Sequence, residues 1–173
     1  LRRGGTPGVW RGGQANRPGG THFFRAVLGA HLLVQRGQLN LNAPVADYWP
    51  EYACNGKEDT TVLMMLNHSA GVASFHDAAE PGALLDWDKA VSLLAAETPW
   101  WEPGTRNGYH ALTFGWTVGE LVRRVSGKSL GDFFREELAE PMGTDFWIGL
   151  PEEHESRVAP MIPFKPEPGA PLS

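Results

Sequence analysis

Apolar residues in this chain recur at steps of three and four, and hardly anywhere at steps of two. A chain patterned in this way packs helices against helices and has little from which to build a sheet. Phe23, Phe24, Val27, Ala30, Leu33 and Val34 form a first stripe that runs to Arg36 and stops at Gly37. Thr61 stands where an N-cap would precede Val62, Met65 and Leu66, and Asp86 stands likewise before Trp87, Ala90, Val91, Leu94 and Ala95. Leu112, Trp116, Val118, Leu121, Val122 and Val125 predict a fourth helix over 112–125, with Gly127 as a left-handed cap. Ser129 and Asp132 form a capping box ahead of Leu130, Phe133, Phe134 and Leu138, and that helix ends before Pro141. Leu39 and Leu41 suggest a short extended piece, with one helical turn starting at Pro44 and a polar loop over Glu51 to Asp59, and a short helix is expected from Pro151 to Val158. The strand candidate is Phe146-Trp147-Ile148. The fold class is therefore mainly α.

The two ends read differently from this body. Residues 1–22 are a Gly/Arg-rich arm without apolar period, and residues 159–173, with five prolines, read as an extended tail. The helical domain is assigned to 23–158. At 173 residues and 42% hydrophobic, the chain can bury one core and is expected to be one domain. No stretch approaches the roughly 20 apolar residues of a spanning helix, and the first residues lack a signal-peptide core. The expectation is a cytoplasmic protein with no membrane partner. Arg2, Arg3, Arg11, Arg17, Arg25 and Arg36 all precede the first acidic residue, Asp47, but without lysine or aromatic interleaving the arm is not read as a nucleic-acid site. Gly, Arg, Pro and Trp together are also what GC-rich coding sequence yields when read out of frame. Cys54 is the single cysteine, which excludes an internal disulfide and a thiolate metal cluster. His68, His76 and Asp77 lack compact ligand spacing, so neither a metal nor a cofactor is assigned.

Chemistry concentrates at Pro103-Gly104-Thr105-Arg106-Asn107-Gly108-Tyr109-His110-Ala111. Pro103 and Gly104 reverse the chain, Gly108 permits a close approach, and the helix that follows gives Tyr109 a rigid base. On these residues alone, the phenol either faces a cleft or packs its ring and bonds a carbonyl. His31, near the first stripe, reads as hydrogen-bonded filler. Ser69 lies in Asn67-His68-Ser69-Ala70-Gly71, which imitates a nucleophile elbow with Asn in place of the first Gly. An elbow needs a strand before it; here a capped helix precedes, so Ser69 is expected to bond local backbone instead.

Six stretches in order carry a resemblance: His31 to Leu39, Pro44 to Glu51, Met65-Leu66-Asn67-His68-Ser69-Ala70-Gly71, Pro103-Gly104-Thr105 with Gly108-Tyr109, Leu121 to Gly127, and Glu140-Pro141-Met142-Gly143. Over about residues 30–160 the chain resembles the β-lactamase-like serine hydrolases, the family of class C β-lactamases, DD-peptidases and related carboxylesterases. Gly-Tyr-His-Ala leans toward the esterase branch. The resemblance implies the helical lobe of the β-lactamase/transpeptidase-like α+β fold with most of the sheet missing. It also implies a small-molecule acyl substrate, carboxylic ester or β-lactam/peptide-like. Tyr109 would be the base, with His110 and Trp100 at the substrate cleft. Family members use Ser-x-x-Lys, the tyrosine, and a strand-borne Lys-Thr-Gly or His/Trp-x-Gly. A phenol with pKa about 10 takes a serine proton only when an ammonium favours its anion. In this chain the first lysine is Lys57, the first serine is Ser69, and Ser-x-x-Lys occurs nowhere. The third motif is missing too. The expectation is a truncated or mis-read copy that is inactive, or else a non-catalytic descendant that binds a ligand or partner through the old cleft.

Overall fold

The computed structural model describes residues 21–77, 79, 80 and 82–159, with backbone alone for 21–25. The arm up to residue 20, the tail from residue 160 and the side chains of Phe23 and Phe24 lie outside the described residues. Five α-helices form where the stripes stood: α1 (Thr21–Gln35), α2 (Val62–Leu66), α3 (Trp87–Ala96), α4 (Thr113–Ser126) and α5 (Leu130–Phe134). The main axis is the packing of α1 on α4. Ala26, Ala30 and Leu33 of α1, Val118, Leu121 and Val122 of α4, and Phe133 of α5 are buried together. Small alanines on α1 let the larger α4 side chains fill the space between the two helices.

The expected caps are in place. Oγ1 of Thr61 accepts from Met64 N–H at 3.3 Å, Oδ1 of Asp86 from Lys89 N–H at 3.1 Å, and Oγ of Ser129 from Asp132 N–H at 3.1 Å. Gly127 closes α4 at φ 73°. The helix beginning at Ser129 widens after Phe134 into a π turn over Arg135–Ala139, whose five-residue register puts Ala139 in the buried set with Phe134.

Four expectations need correction. Leu112 lies before α4 and is 48% exposed; the buried face runs through Phe114, Thr117, Val118, Leu121 and Val122, with Trp116 half-buried at its margin. Phe146-Trp147-Ile148 forms no strand among the described residues: Ile148 alone is in a bridge, as is Val158, and the bridge from Pro44 to Thr61 is likewise an isolated one. Pro44 precedes its turn (Val45–Asp47) rather than opening it, whereas Pro50 does open the next (Pro50–Tyr52). The segment 51–59, which reads as a polar loop, carries two anchors: Tyr52 is fully buried and Lys57 is 1% exposed. The Lys57 ammonium donates to the Glu97 carbonyl, contacts Cys54 Sγ at 3.8 Å, and sits 5.1 Å over the Tyr52 ring. Pro151 does lead into a helical segment, of 3₁₀ type, over Glu152–Arg157. His31 is exposed and bonds the Val27 carbonyl through Nδ1 at 2.8 Å.

One carboxylate lies wholly inside. Glu120 of α4 accepts from Trp87 Nε1 at 2.9 Å, from Arg123 Nε at 2.7 Å and from Arg124 Nε at 2.7 Å. Burial opposes its charge, but the bonds from Arg123, Trp87 and Arg124 outweigh it and hold the carboxyl below the usual range. Arg123 continues to Asp88 and Arg124 to Glu51, so a single buried acid ties α4 to α3 and to the turn after Trp49.

Candidate active site

The chain leaving α2 forms an elbow at 67–72, and the stretch 100–113 is laid along it. Almost every carbonyl of the elbow has a donor from that stretch. Asn67 O accepts from Asn107 Nδ2 at 2.8 Å, His68 O from Gly108 N–H at 3.1 Å, and Ser69 O from Gly104 N–H at 2.9 Å and Trp101 Nε1 at 3.3 Å. Gly71 O accepts from Trp100 N–H at 2.8 Å, and Val72 O from Thr113 Oγ1 at 2.6 Å, which pins the start of α4. Two glycines make the approach possible. At Gly71, with φ +83°, a Cβ would lie 2.5 Å from Trp101 O, and at Gly108 it would lie 2.5 Å from the Trp101 ring.

Tyr109 is presented at the crest of this stretch, 61% exposed. Of the two openings left by the sequence, the ring is not packed away. It meets the His68 ring edge to face, with centroids 5.2 Å apart and planes at 65°. His68 in turn contacts His110 at 5.4 Å and Phe114 at 4.9 Å. His110 is 2% exposed, so it supports the turn from inside. Its Nδ1 bonds the Gly108 carbonyl at 2.6 Å, and a carbonyl only accepts, so Nδ1 carries the proton. Nδ1 of His68 accepts from His110 N–H at 3.3 Å, so His68 is the opposite tautomer. Burial lowers the pKa of both rings, and for His110 the bond to Gly108 opposes that fall. The centre is therefore neutral imidazole beside an exposed phenol.

Trp100 stands apart from this group. It is 51% exposed, stacks on His76 at 3.9 Å and 8°, and donates from Nε1 to Ser74 O at 3.0 Å. His76 is bound to Glu97 at 2.6 Å, so His68 and His76 serve different neighbours. Among the described residues no three His, Cys, Asp or Glu side chains gather in a form that could hold a metal.

Ser69 is 5% exposed and follows a helix. Its hydroxyl donates to Asn67 Oδ1 at 2.6 Å, a side-chain acceptor where the sequence suggested backbone, and the same oxygen receives Ser69 N–H at 3.0 Å. Gly108 and Tyr109 are marked in the sequence by their turn, whereas the approach of His68 to them is not. The one available signal was His68 between Asn67 and Ser69 at a helix end, where a left-handed residue (φ +66°) turns the chain.

Helices around a buried α1–α4 pair, with a tyrosine-bearing turn laid over the α2 elbow, define the helical lobe of a β-lactamase-like fold. Comparison with known proteins gives the same class. Residues 23–172 match the Beta-lactamase family, and the chain belongs to that family. It is 42% identical over 134 residues to Esterase/beta-lactamase LipL of Mycobacterium tuberculosis (strain ATCC 25618 / H37Rv), covering 76% of this chain and 31% of that protein. A family VIII carboxylesterase crystal structure superposes with TM-score 0.79 at 46% identity, over 82% of this chain and 40% of that one. A penicillin-binding protein homologue from Caulobacter crescentus superposes with TM-score 0.81 at 39% identity, over 88% and 42%. The chain thus spans less than half the length of these relatives. The family match extends past both limits of the resemblance read from motifs. No helix among the described residues is long and apolar enough to cross a membrane.

Proposed function

We propose that this chain is the helical lobe of a serine hydrolase acting on carboxylic esters or on β-lactam/peptide-like acyl compounds, with Tyr109 in the position of the base. The observation that carries the reading is the exposed Tyr109 phenol, fixed between two amides that are themselves bonded to the α2 elbow. In such a reaction the phenolate takes the serine proton as the hydroxyl attacks the acyl carbon, and an ammonium keeps the phenol ionised. Names of relatives support both substrate classes, since the matched proteins include an esterase/beta-lactamase and a family VIII carboxylesterase.

These 173 residues contain no Ser-x-x-Lys. The proposal is accordingly that the chain alone does not turn over acyl substrates. Loss of a serine nucleophile costs on the order of 10⁶ in turnover in subtilisin, and no binding residue compensates for that. The test joins two measurements on the purified chain. Short-chain p-nitrophenyl esters and a chromogenic β-lactam should be hydrolysed at background rate, and a fluorophosphonate probe should label no serine. Stoichiometric labelling of Ser69, lost in Ser69→Ala, would replace this reading with an α/β-hydrolase one.

A further inference from the structure

The Tyr109 ring and the two amides that flank it all meet one residue, His68. His68 is one of two non-glycine residues with positive φ among the described residues, the other being Asn55. Few non-glycine residues adopt that conformation, and it persists only where its surroundings hold it. Here the surroundings are the turn itself. The His68 carbonyl takes the Gly108 amide, and its Nδ1 takes the His110 amide. Those amides flank Tyr109 on either side. The same imidazole meets the Tyr109 ring edge to face.

We propose that His68 is a positioning residue for Tyr109: its neutral ring fixes the phenol through the two flanking amides, and protonation of that ring releases the hold. The consequence for catalysis rests on the reading of Tyr109 as base, whereas the positioning does not. The chemistry follows from the tautomer. An amide only donates, so Nδ1 of His68 is the bare nitrogen, and a proton added there sets N–H against N–H and breaks the bond to His110. Protonation also places a positive charge on the ring that meets Tyr109.

His110 is the competing titrating group, and its geometry gives the opposite result. Nδ1 of His110 already carries a proton and donates to Gly108, so its second proton adds at Nε2 and leaves that bond intact. Among the described residues the turn presents Tyr109 and His110 to the His68 ring, α4 presents Phe114, and α2, Val62–Leu66, contains no charged residue.

The experiment uses the chain labelled with 3-fluorotyrosine, which carries only three tyrosines, Tyr48, Tyr52 and Tyr109. Tyr109→Phe identifies the third ¹⁹F resonance. Between pH 8 and pH 4.5 that resonance should move in a single one-proton step with its midpoint below 6.5, the ordinary imidazole value. In His68→Asn the step should be lost, with the resonance fixed at its high-pH position, because Asn tolerates positive φ and can accept from the His110 amide without titrating. In His110→Asn the step should persist. A Tyr109 resonance that stays flat in the unsubstituted chain, or a step that survives His68→Asn, would overturn the proposal. Imidazole ¹⁵N shifts of the unsubstituted chain give a check independent of any variant: His68 should be bare at Nδ1 and His110 bare at Nε2, and a proton on His68 Nδ1 at pH 8 would refute it. No arm measures turnover, so failure here leaves the role of Tyr109 as base standing, and failure of that role leaves these shifts unchanged.

Discussion

Glu120 and Tyr109 lie on or beside the same helix and are held in opposite ways. Glu120 is fully buried, charged, and bonded by two residues within one turn of α4, Arg123 and Arg124, together with Trp87 of α3. Tyr109 is exposed, it meets the neutral ring of His68, and its hold comes from two main-chain amides bonded to a residue some forty positions away in sequence. The first arrangement is electrostatic, is centred on one turn of α4 and serves stability. The second is wholly non-local and depends on two chain segments meeting at van der Waals distance, which is how a fold keeps a side chain outward without enclosing it.

The contrast breaks most visibly at Glu120. Glu120→Ala leaves the indole N–H of Trp87 and two guanidinium groups without their common acceptor. Because both arginines are partly exposed, the loss should fall at about 3 kcal/mol, the low end for a broken buried pair. Glu120→Gln keeps an acceptor for Trp87 and should cost less. Urea unfolding of the purified chain measures both; equal stability of Glu120→Ala and the unsubstituted chain would show that the network holds nothing.

On the tyrosine side, Gly71→Ala is the sharper tool. At φ +83° its Cβ would meet the Trp101 carbonyl at 2.5 Å, a backbone atom that cannot move alone. The expected loss is about 2 kcal/mol, together with altered solvent exposure of Tyr109. Near-UV circular dichroism and urea unfolding read the two effects, and a change in stability without a change in the aromatic signal would separate the elbow from the turn.

Acid should distinguish the two regions by pH. Burial lowers the folded-state pKa of His68 and of His110 below the ordinary 6.5. Above pH 6.5 both histidines are neutral in either state and contribute no slope. Below it the unfolded chain takes up protons that the folded chain refuses, so stability falls as pH falls until the folded-state values are reached. The slope is at most about 1.4 kcal/mol per pH unit for each histidine. The Glu120 carboxyl, held below its usual range, loses its contribution only at lower pH, as pH falls below 4.5 and through its folded value. Unfolding midpoints at pH 7.5 and pH 5.5 should differ, and His68→Asn should reduce that difference.

The same contrast explains what the sequence made legible. Helices α1 to α4 and the capping box at Ser129 were readable because each depends on spacing within a few residues. Tyr109 was findable because Pro103, Gly104 and Gly108 mark its turn. The buried Lys57 was hidden in a stretch of polar composition, since its burial is decided by the Glu97 carbonyl forty residues away. His68 escaped for the same reason: its role exists only once residues 67–72 and 100–113 lie side by side. Leu112 misled because it continues the helical period one residue before the helix begins.

The central claim, that the elbow presents Tyr109 as the base of an acyl-transfer site, is tested most directly in a chimera. The helical lobe of an active family VIII carboxylesterase, downstream of its own Ser-x-x-Lys, would be replaced by residues 30–158 of this chain, and kcat/KM measured on a short-chain p-nitrophenyl ester before and after Tyr109→Phe. The expected result is an active chimera that loses on the order of 10²–10⁴ in kcat/KM when the phenolic oxygen is removed. An active chimera whose rate is unchanged by Tyr109→Phe would contradict the claim.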